Sequence, residues 1–161
     1  MHRNALLIAA AFAAAAPIAL ADQFLFSTDL SADNSNPPVN SSATGSFSGV
    51  YDDVANTFSI QWSITGLEGM PASPGAHLHN APLGSNGPVV FGFNNPDGTW
   101  PTSGSAVWMN MPANMVSELF AGNLYANFHT TDFPSGEVRG QVRLVPAPGA
   151  AALGGCAALL L

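Results

Sequence analysis

Two histidines separated by one residue, His77 and His79, lie in the stretch SPGAHLHNAPLGSNGPVVFGF (Ser73–Phe93), and a third, His129, lies in NLYANFHTT. On an extended strand, residues two apart face the same side, with Cβ atoms roughly 6.6 Å apart. That spacing lets two imidazoles converge on one ion at metal–nitrogen distances of about 2.0–2.1 Å, and copper or zinc is the ion such a set would hold. Leu78 between them is expected to enter the core, which turns both histidines to the outer face. The competing reading is hydrogen bonding: neutral imidazoles also anchor loops, and the Gly- and Pro-rich segment NAPLGSNGPVV needs partners for its backbone groups.

The residues around His129 follow the same two-residue period. Tyr125, Asn127 and His129 alternate with Leu124, Ala126 and Phe128, while Glu137, Arg139, Gln141 and Arg143 alternate with Val138, Gly140, Val142 and Leu144. The five residues DFPSG between these runs form a hairpin loop. Matching the apolar faces pairs Phe128 with Gly140, where the missing side chain leaves room for the ring, and sets Arg139 beside His129. A cation there disfavours the imidazolium and leaves a neutral ring able to ligate. Glu137 and Arg139 then share an exposed strand face as an ion pair of little energetic weight. With Tyr125 they are the candidate supporting residues around the three metal ligands.

Other chemistries find no footing. The chain has no GxSxG elbow, no Gly-rich phosphate loop and no Cys/His dyad, so no catalytic residue is assigned. Trp62 alternates with apolar neighbours and belongs in a core. Trp100, in PDGTWPTSG, reads as a loop residue that could contact a sugar or a partner, and Asp97–Gly98 beside it reads as a turn before it reads as a calcium site.

The elements that must position these residues are strands. In TFSIQWSITG, Phe58, Ile60, Trp62 and Ile64 alternate with Ser59, Gln61, Ser63 and Thr65, the pattern of a sheet with one wet face. Further strands are expected over Gln23–Asp29, Ala43–Tyr51, Ala76–His79, Val89–Phe93 and Ser105–Met109. They are punctuated by SNPP, PASPG, GSNGP and NNPDGT. One segment, PANMVSELFAG, has Pro112 in a first turn, Met115, Leu119 and Phe120 on one side, and Gly122 as a stop. It predicts a short helix covering one end of a sandwich or barrel.

At 161 residues one domain is expected. Lysine is absent and three arginines face ten acids, which excludes a nucleic-acid reader, since phosphate binding needs clustered cations. The one cysteine, Cys156, cannot form a disulfide within the chain, so packing alone must hold the core. At the N-terminus, Arg3 precedes the apolar run Ala5–Ala16 and the small residues Ala19 and Ala21. This is the pattern of a signal peptide over residues 1–21, cleaved after Ala21, and it predicts export. At the other end, Pro146 and Pro148 stop the sheet and Ala150–Leu161 is apolar without a charge. As a helix that segment reaches roughly 18 Å, short of the roughly 30 Å hydrocarbon core.

The motifs NPPVNSSATGSFSG, GAHLHNAPLGSNGPVV and AGNLYANFHTTDFPSGEVRGQV, in that order, resemble the successive signatures of the CHRD (chordin-type) domain over residues 22–145. The acidic residue usual before the Pro-Pro pair is replaced by Ser35 and Asn36, so no role of that carboxylate carries over. The resemblance implies an all-β, immunoglobulin-like Greek-key β-sandwich similar to Cu/Zn superoxide dismutase, here with one short helix. The dismutase's copper site also uses a His-x-His pair on the outer surface of its barrel. The resemblance further implies a non-enzymatic cell-surface or extracellular-matrix module, secreted or surface-held, whose partner is an extracellular protein or polysaccharide. Residues 146–161, beginning in VPAPG, resemble a PEP-CTERM sorting segment, which would make a membrane processing enzyme a second partner. Such segments continue into a longer apolar helix and an arginine cluster that this one lacks.

Overall fold

The computed structural model describes residues 22–146. The expected leader over residues 1–21 and the apolar tail beyond Pro146 lie outside the described residues. The strands are β1 (Gln23–Ser31), β2 (Thr44–Asp52), β3 (Thr57–Thr65), β4 (Pro71–Asn80), β5 (Val89–Gly92), β6 (Ser103–Met109), β7 (Leu124–Thr130), β8 (Val138–Gln141) and β9 (Arg143–Leu144). Among the described residues a single α-helix, α1 (Ala113–Ala121), precedes β7, and a 3-10 turn over Ala32–Asn34 follows β1. All pairings are antiparallel, in the order β5-β4-β7-β8-β1-β2-β3-β6, with β9 also on β1. The sheet curls into a nearly closed barrel. Its two edge strands meet through side chains, where Phe91 of β5 stacks on Trp108 of β6 at 4.9 Å between centroids and 5° between planes.

The alternation in β3 has its expected consequence: Phe58, Ile60, Trp62 and Ile64 are buried and the residues between them are exposed or partly so. Along β2, Phe47, Tyr51 and the glycines Gly45 and Gly49 face the same interior. A Cβ on Gly49 would lie 2.4 Å from the Phe58 ring, so the bare backbone is what admits that ring. The helix follows Pro112 and ends at Gly122, whose φ of 72° is the left-handed stop that glycine tolerates. Leu119 is fully buried, and Phe120 meets Phe24, Phe26 and Tyr51 edge to face, so α1 packs where β1 begins and β2 ends.

Three expectations need correction. The hairpin register pairs Phe128 with Val138, Asn127 with Arg139 and Ala126 with Gly140, two residues from the expected pairing of Phe128 with Gly140. A shift of two keeps the same side chains on the same face, so apolar matching could not separate the two registers. Gly140 makes room for β1 and not for the Phe128 ring, since a Cβ there would fall 2.6 Å from the Asp29 carbonyl oxygen and from Thr28 Cγ2. Second, β7 has no wet face: all seven of its residues are buried, because loops roof its polar side. Third, Trp100 is no surface platform. It is buried, its ring centroid lies 5.1 Å from that of Phe128, and its Nε1 donates to the His129 carbonyl oxygen at 2.8 Å.

Candidate metal centre

Strands β4, β7 and β8 lie side by side, and their outer faces carry the polar residues of all three. His77 pairs with Asn127 and His79 with Tyr125 across β4 and β7; across β7 and β8, Tyr125 pairs with Gln141 and Asn127 with Arg139. Leu78 is fully buried on the inner face, as expected, and Ala76 and Phe128 are inside with it. His129 is two residues beyond Asn127 on the same side of β7. The period of the strands therefore carries His77, His79 and His129 to one spot.

One ring nitrogen from each of the three lies within 4.8 Å of the others. Ring centroids are 5.7 Å apart for His77–His79, 5.4 Å for His77–His129 and 6.3 Å for His79–His129. Bringing three nitrogens to about 2.0–2.1 Å from one ion needs only small χ rotations from there. The loop between β4 and β5 and the hairpin between β7 and β8 cover the cluster, leaving His77 9 % and His129 5 % exposed.

Hydrogen bonds assign the tautomers of two rings. His79 Nδ1 donates to the Gly87 carbonyl oxygen at 2.9 Å, and His129 Nδ1 donates to the Pro134 carbonyl oxygen at 2.9 Å. A carbonyl can only accept, so both protons sit on Nδ1 and both Nε2 atoms carry a lone pair. His79 Nε2 and His77 Nδ1 are buried without a hydrogen-bond partner, and His129 Nε2 accepts only a long 3.3 Å bond from Asn127 Nδ2. Buried polar atoms without partners cost free energy. Backbone carbonyls that orient a ring from its far nitrogen are the support metal-ligating histidines usually have. The residues present thus fit a bound transition-metal ion.

The supporting residues sit differently from the expectation. Arg139 does not neighbour His129. Its guanidinium carbon lies 3.5 Å from the Tyr125 ring centroid, and that ring stacks on His79 at 4.8 Å and 9°. Arg139 also donates to the Ser85 carbonyl oxygen at 2.7 Å and to Asn86 Oδ1 at 2.8 Å, while Tyr125 Oη accepts from Gly87 N at 3.1 Å. Together they clamp the loop whose Gly87 carbonyl fixes His79. Glu137 is not the exposed partner of Arg139. It is 0 % exposed and its carboxylate accepts from Ser41 Oγ, Glu68 N and Thr130 Oγ1, each at 2.7 Å, and from Gly69 N at 3.4 Å. Asn127 was not singled out by the sequence reading, although it shares the face of His129. Its amide also donates to the Ser135 carbonyl oxygen at 3.1 Å, and Gly136, at φ 116°, leaves the space it fills.

Electrostatics keep the rings neutral. Burial, then the neighbouring His129 and His79, push His77 down to about 4. Burial also lowers His79 and His129, with Arg139 adding to the effect on His79 and His79 to that on His129. Each folded-state value lies below the unfolded value of 6.5. As pH falls from about 6.5 to about 4, the unfolded chain takes up protons that the folded chain refuses, so stability falls with pH in that window. The metal-free protein is expected to lose on the order of 2 kcal/mol across it, less than the full shift implies because solvent screens part of the effect. Urea unfolding midpoints measured through that range test this; an unchanged midpoint would contradict it.

A family model described as CHRD domain matches residues 26–142. No curated protein and no solved structure matches the chain. The matched span runs from Phe26 in β1 to Val142 just after β8 and takes in the helix, both covering loops and all three clustered histidines. The chain belongs to the CHRD domain family.

Proposed function

We propose that this CHRD domain is an exported, non-enzymatic module that holds one transition-metal ion, copper or zinc, on His77, His79 and His129. The observation that carries this reading is the convergence of the three histidines of residues 22–146 on one covered spot, a nitrogen of each within 4.8 Å of the others, in rings of which His77 and His79 each keep a buried nitrogen without a partner. Unaided hydrogen-bond anchoring, the competing reading, accounts for Nδ1 of His79 and His129 but leaves His77 Nδ1 and His79 Nε2 buried without partners. The leader-like residues 1–21 support export, and the VPAPG segment supports handling by a membrane processing enzyme. A dismutase-like Greek-key sandwich is supported by strand order. Across the aromatic seam the sequence β7-β4-β5-β6 has the 4-1-2-3 arrangement of a Greek key.

A second reading, contact with an extracellular protein or polysaccharide, draws on one further observation. Edge strand β6 exposes Val107 at 51 % and Met109 at 67 % beside its unpaired backbone edge. The two readings are compatible, because the cluster and β6 occupy different parts of the barrel.

Elemental analysis followed by metal titration tests the first reading. One equivalent of copper or zinc is expected per chain, with affinity reduced at least about 100-fold, ~2.7 kcal/mol, by His77→Ala and by His129→Ala. Absence of stoichiometric binding at micromolar metal, or binding unaltered in both variants, would overturn it.

A further inference from the structure

The ligand set has an unusual charge balance. Three neutral imidazoles make the cluster, and among the described residues no carboxylate or thiolate joins them. Arg139 works against added positive charge at His79, and a proton on one ring works against a second on its neighbour, while the Gly87 and Pro134 carbonyls pull the other way. Arg139 reaches His79 through the Tyr125 ring, with the guanidinium 3.5 Å above the ring centroid and the imidazole stacked at 4.8 Å. Asp132, the acid nearest His129 in sequence, is exposed and accepts from Thr131 Oγ1 at 2.9 Å, and the buried Glu137 is committed to Ser41, Glu68, Gly69 and Thr130.

The cost of charging a buried site rises with the square of the ion's charge. A dication in this covered cluster would lack any anionic side-chain ligand to offset that cost, with a guanidinium on the far side of the Tyr125 ring that stacks on His79. Divalent zinc on three histidines completes its tetrahedron with a water or hydroxide, and the loops that leave His77 9 % and His129 5 % exposed stand against that fourth ligand. The amide that faces His129 Nε2 is Asn127, whose Nδ2 lies between that nitrogen and the Ser135 carbonyl oxygen while its Oδ1 is buried without a partner, so it turns a donor and not its oxygen toward His129. A d10 monocation accepts three nitrogen ligands in a plane and needs no fourth. Imidazole suits zinc and copper alike, so the charge and coordination number of the ion decide here and not the ligand type.

We infer that the three-histidine cluster selects monovalent copper over divalent zinc and divalent copper, with Arg139, acting through Tyr125 and His79, as the positioning residue that sets the preference. This rests on the metal-site reading above and names the ion for it.

The test is anaerobic competition of the purified protein against a chromophoric Cu(I) chelator, with a parallel Zn(II) competition and Cu(II) titration followed by electron paramagnetic resonance. One equivalent of Cu(I) is expected to bind at least about 1,000-fold more tightly than Zn(II), with no stoichiometric Cu(II) signal. Arg139→Gln is expected to narrow the Cu(I)/Zn(II) ratio about tenfold. Arg139→Lys, which keeps the charge but not the stacked plane, is expected to lie between the two. Zinc bound as tightly as Cu(I), or a stoichiometric Cu(II) signal, would overturn this inference and leave the metal site standing. Failure of every ion to bind would remove both. Should Arg139→Gln not fold, the wild-type ratio alone decides the ion, and Arg139→Lys decides the part assigned to the arginine.

Discussion

Replacing Glu137 with alanine is expected to destabilise the barrel by about 3–5 kcal/mol, the range for removing one member of a buried charged network. The carboxylate is fully buried and accepts four hydrogen bonds from three separate segments: Ser41 before β2, Glu68 and Gly69 in the crossover from β3 to β4, and Thr130 at the end of β7. Truncation leaves four donors without an acceptor in a space that water enters poorly, and each such group costs about 1–3 kcal/mol. Glu137→Gln keeps the shape but turns an NH2 group toward donors, so it is expected to cost about half as much. Urea unfolding with an unchanged denaturant slope reads both values. A loss below about 1 kcal/mol for the alanine variant would show that these contacts do not hold the crossover.

The second large effect is expected at Phe128. Its ring is fully buried on the inner face of β7, with centroids 6.0 Å from Trp62, 5.4 Å from Phe93 and 5.1 Å from Trp100. Phe128→Ala is expected to cost about 3–5 kcal/mol, the transfer term plus that of a cavity its rigid aromatic neighbours cannot fill. Near-ultraviolet circular dichroism should lose intensity at the same time, because two tryptophans lose a packing partner. Phe128→Leu, which refills most of the space, is expected to cost roughly a third as much. Equal losses in the two variants would contradict the packing account.

The strands were legible because their side chains alternate. β3 and the helix before β7 follow from local pattern, and so does the placement of His77, His79 and His129 on outer faces, since each sits opposite in phase to a buried neighbour such as Leu78 or Phe128. What local pattern could not supply was anything decided at long range. The hairpin register slipped by two because both registers bury the same residues, and the choice falls to the approach of β1 against Gly140. Trp100 sits among turn residues, yet it is drawn inside by Phe128 and by the His129 carbonyl, 29 residues away. Glu137 looks like one end of an exposed alternation, but its partners Ser41 and Glu68 lie 96 and 69 residues distant. The burial of β7 on both faces has the same origin, because the loops that roof its polar side belong to other parts of the chain.

The same long-range effects make the cluster more than a strand pair with histidines on it. Gly87 and Pro134, one from each covering loop, fix His79 and His129 with their carbonyls, and nothing in the spacing of HLH announces either contact. Their joint result is that His79 and His129 keep Nε2 free of a proton beside His77, with a nitrogen of each ring within 4.8 Å of the others.

X-ray absorption at the metal edge, on protein carrying one equivalent of copper or zinc, tests that arrangement most directly. The account predicts a first shell dominated by three nitrogen scatterers at about 2.0 Å, with the outer-shell pattern of imidazole rings, and its loss in His79→Ala. A shell of oxygen scatterers, or a nitrogen shell that survives that substitution unchanged, would contradict it.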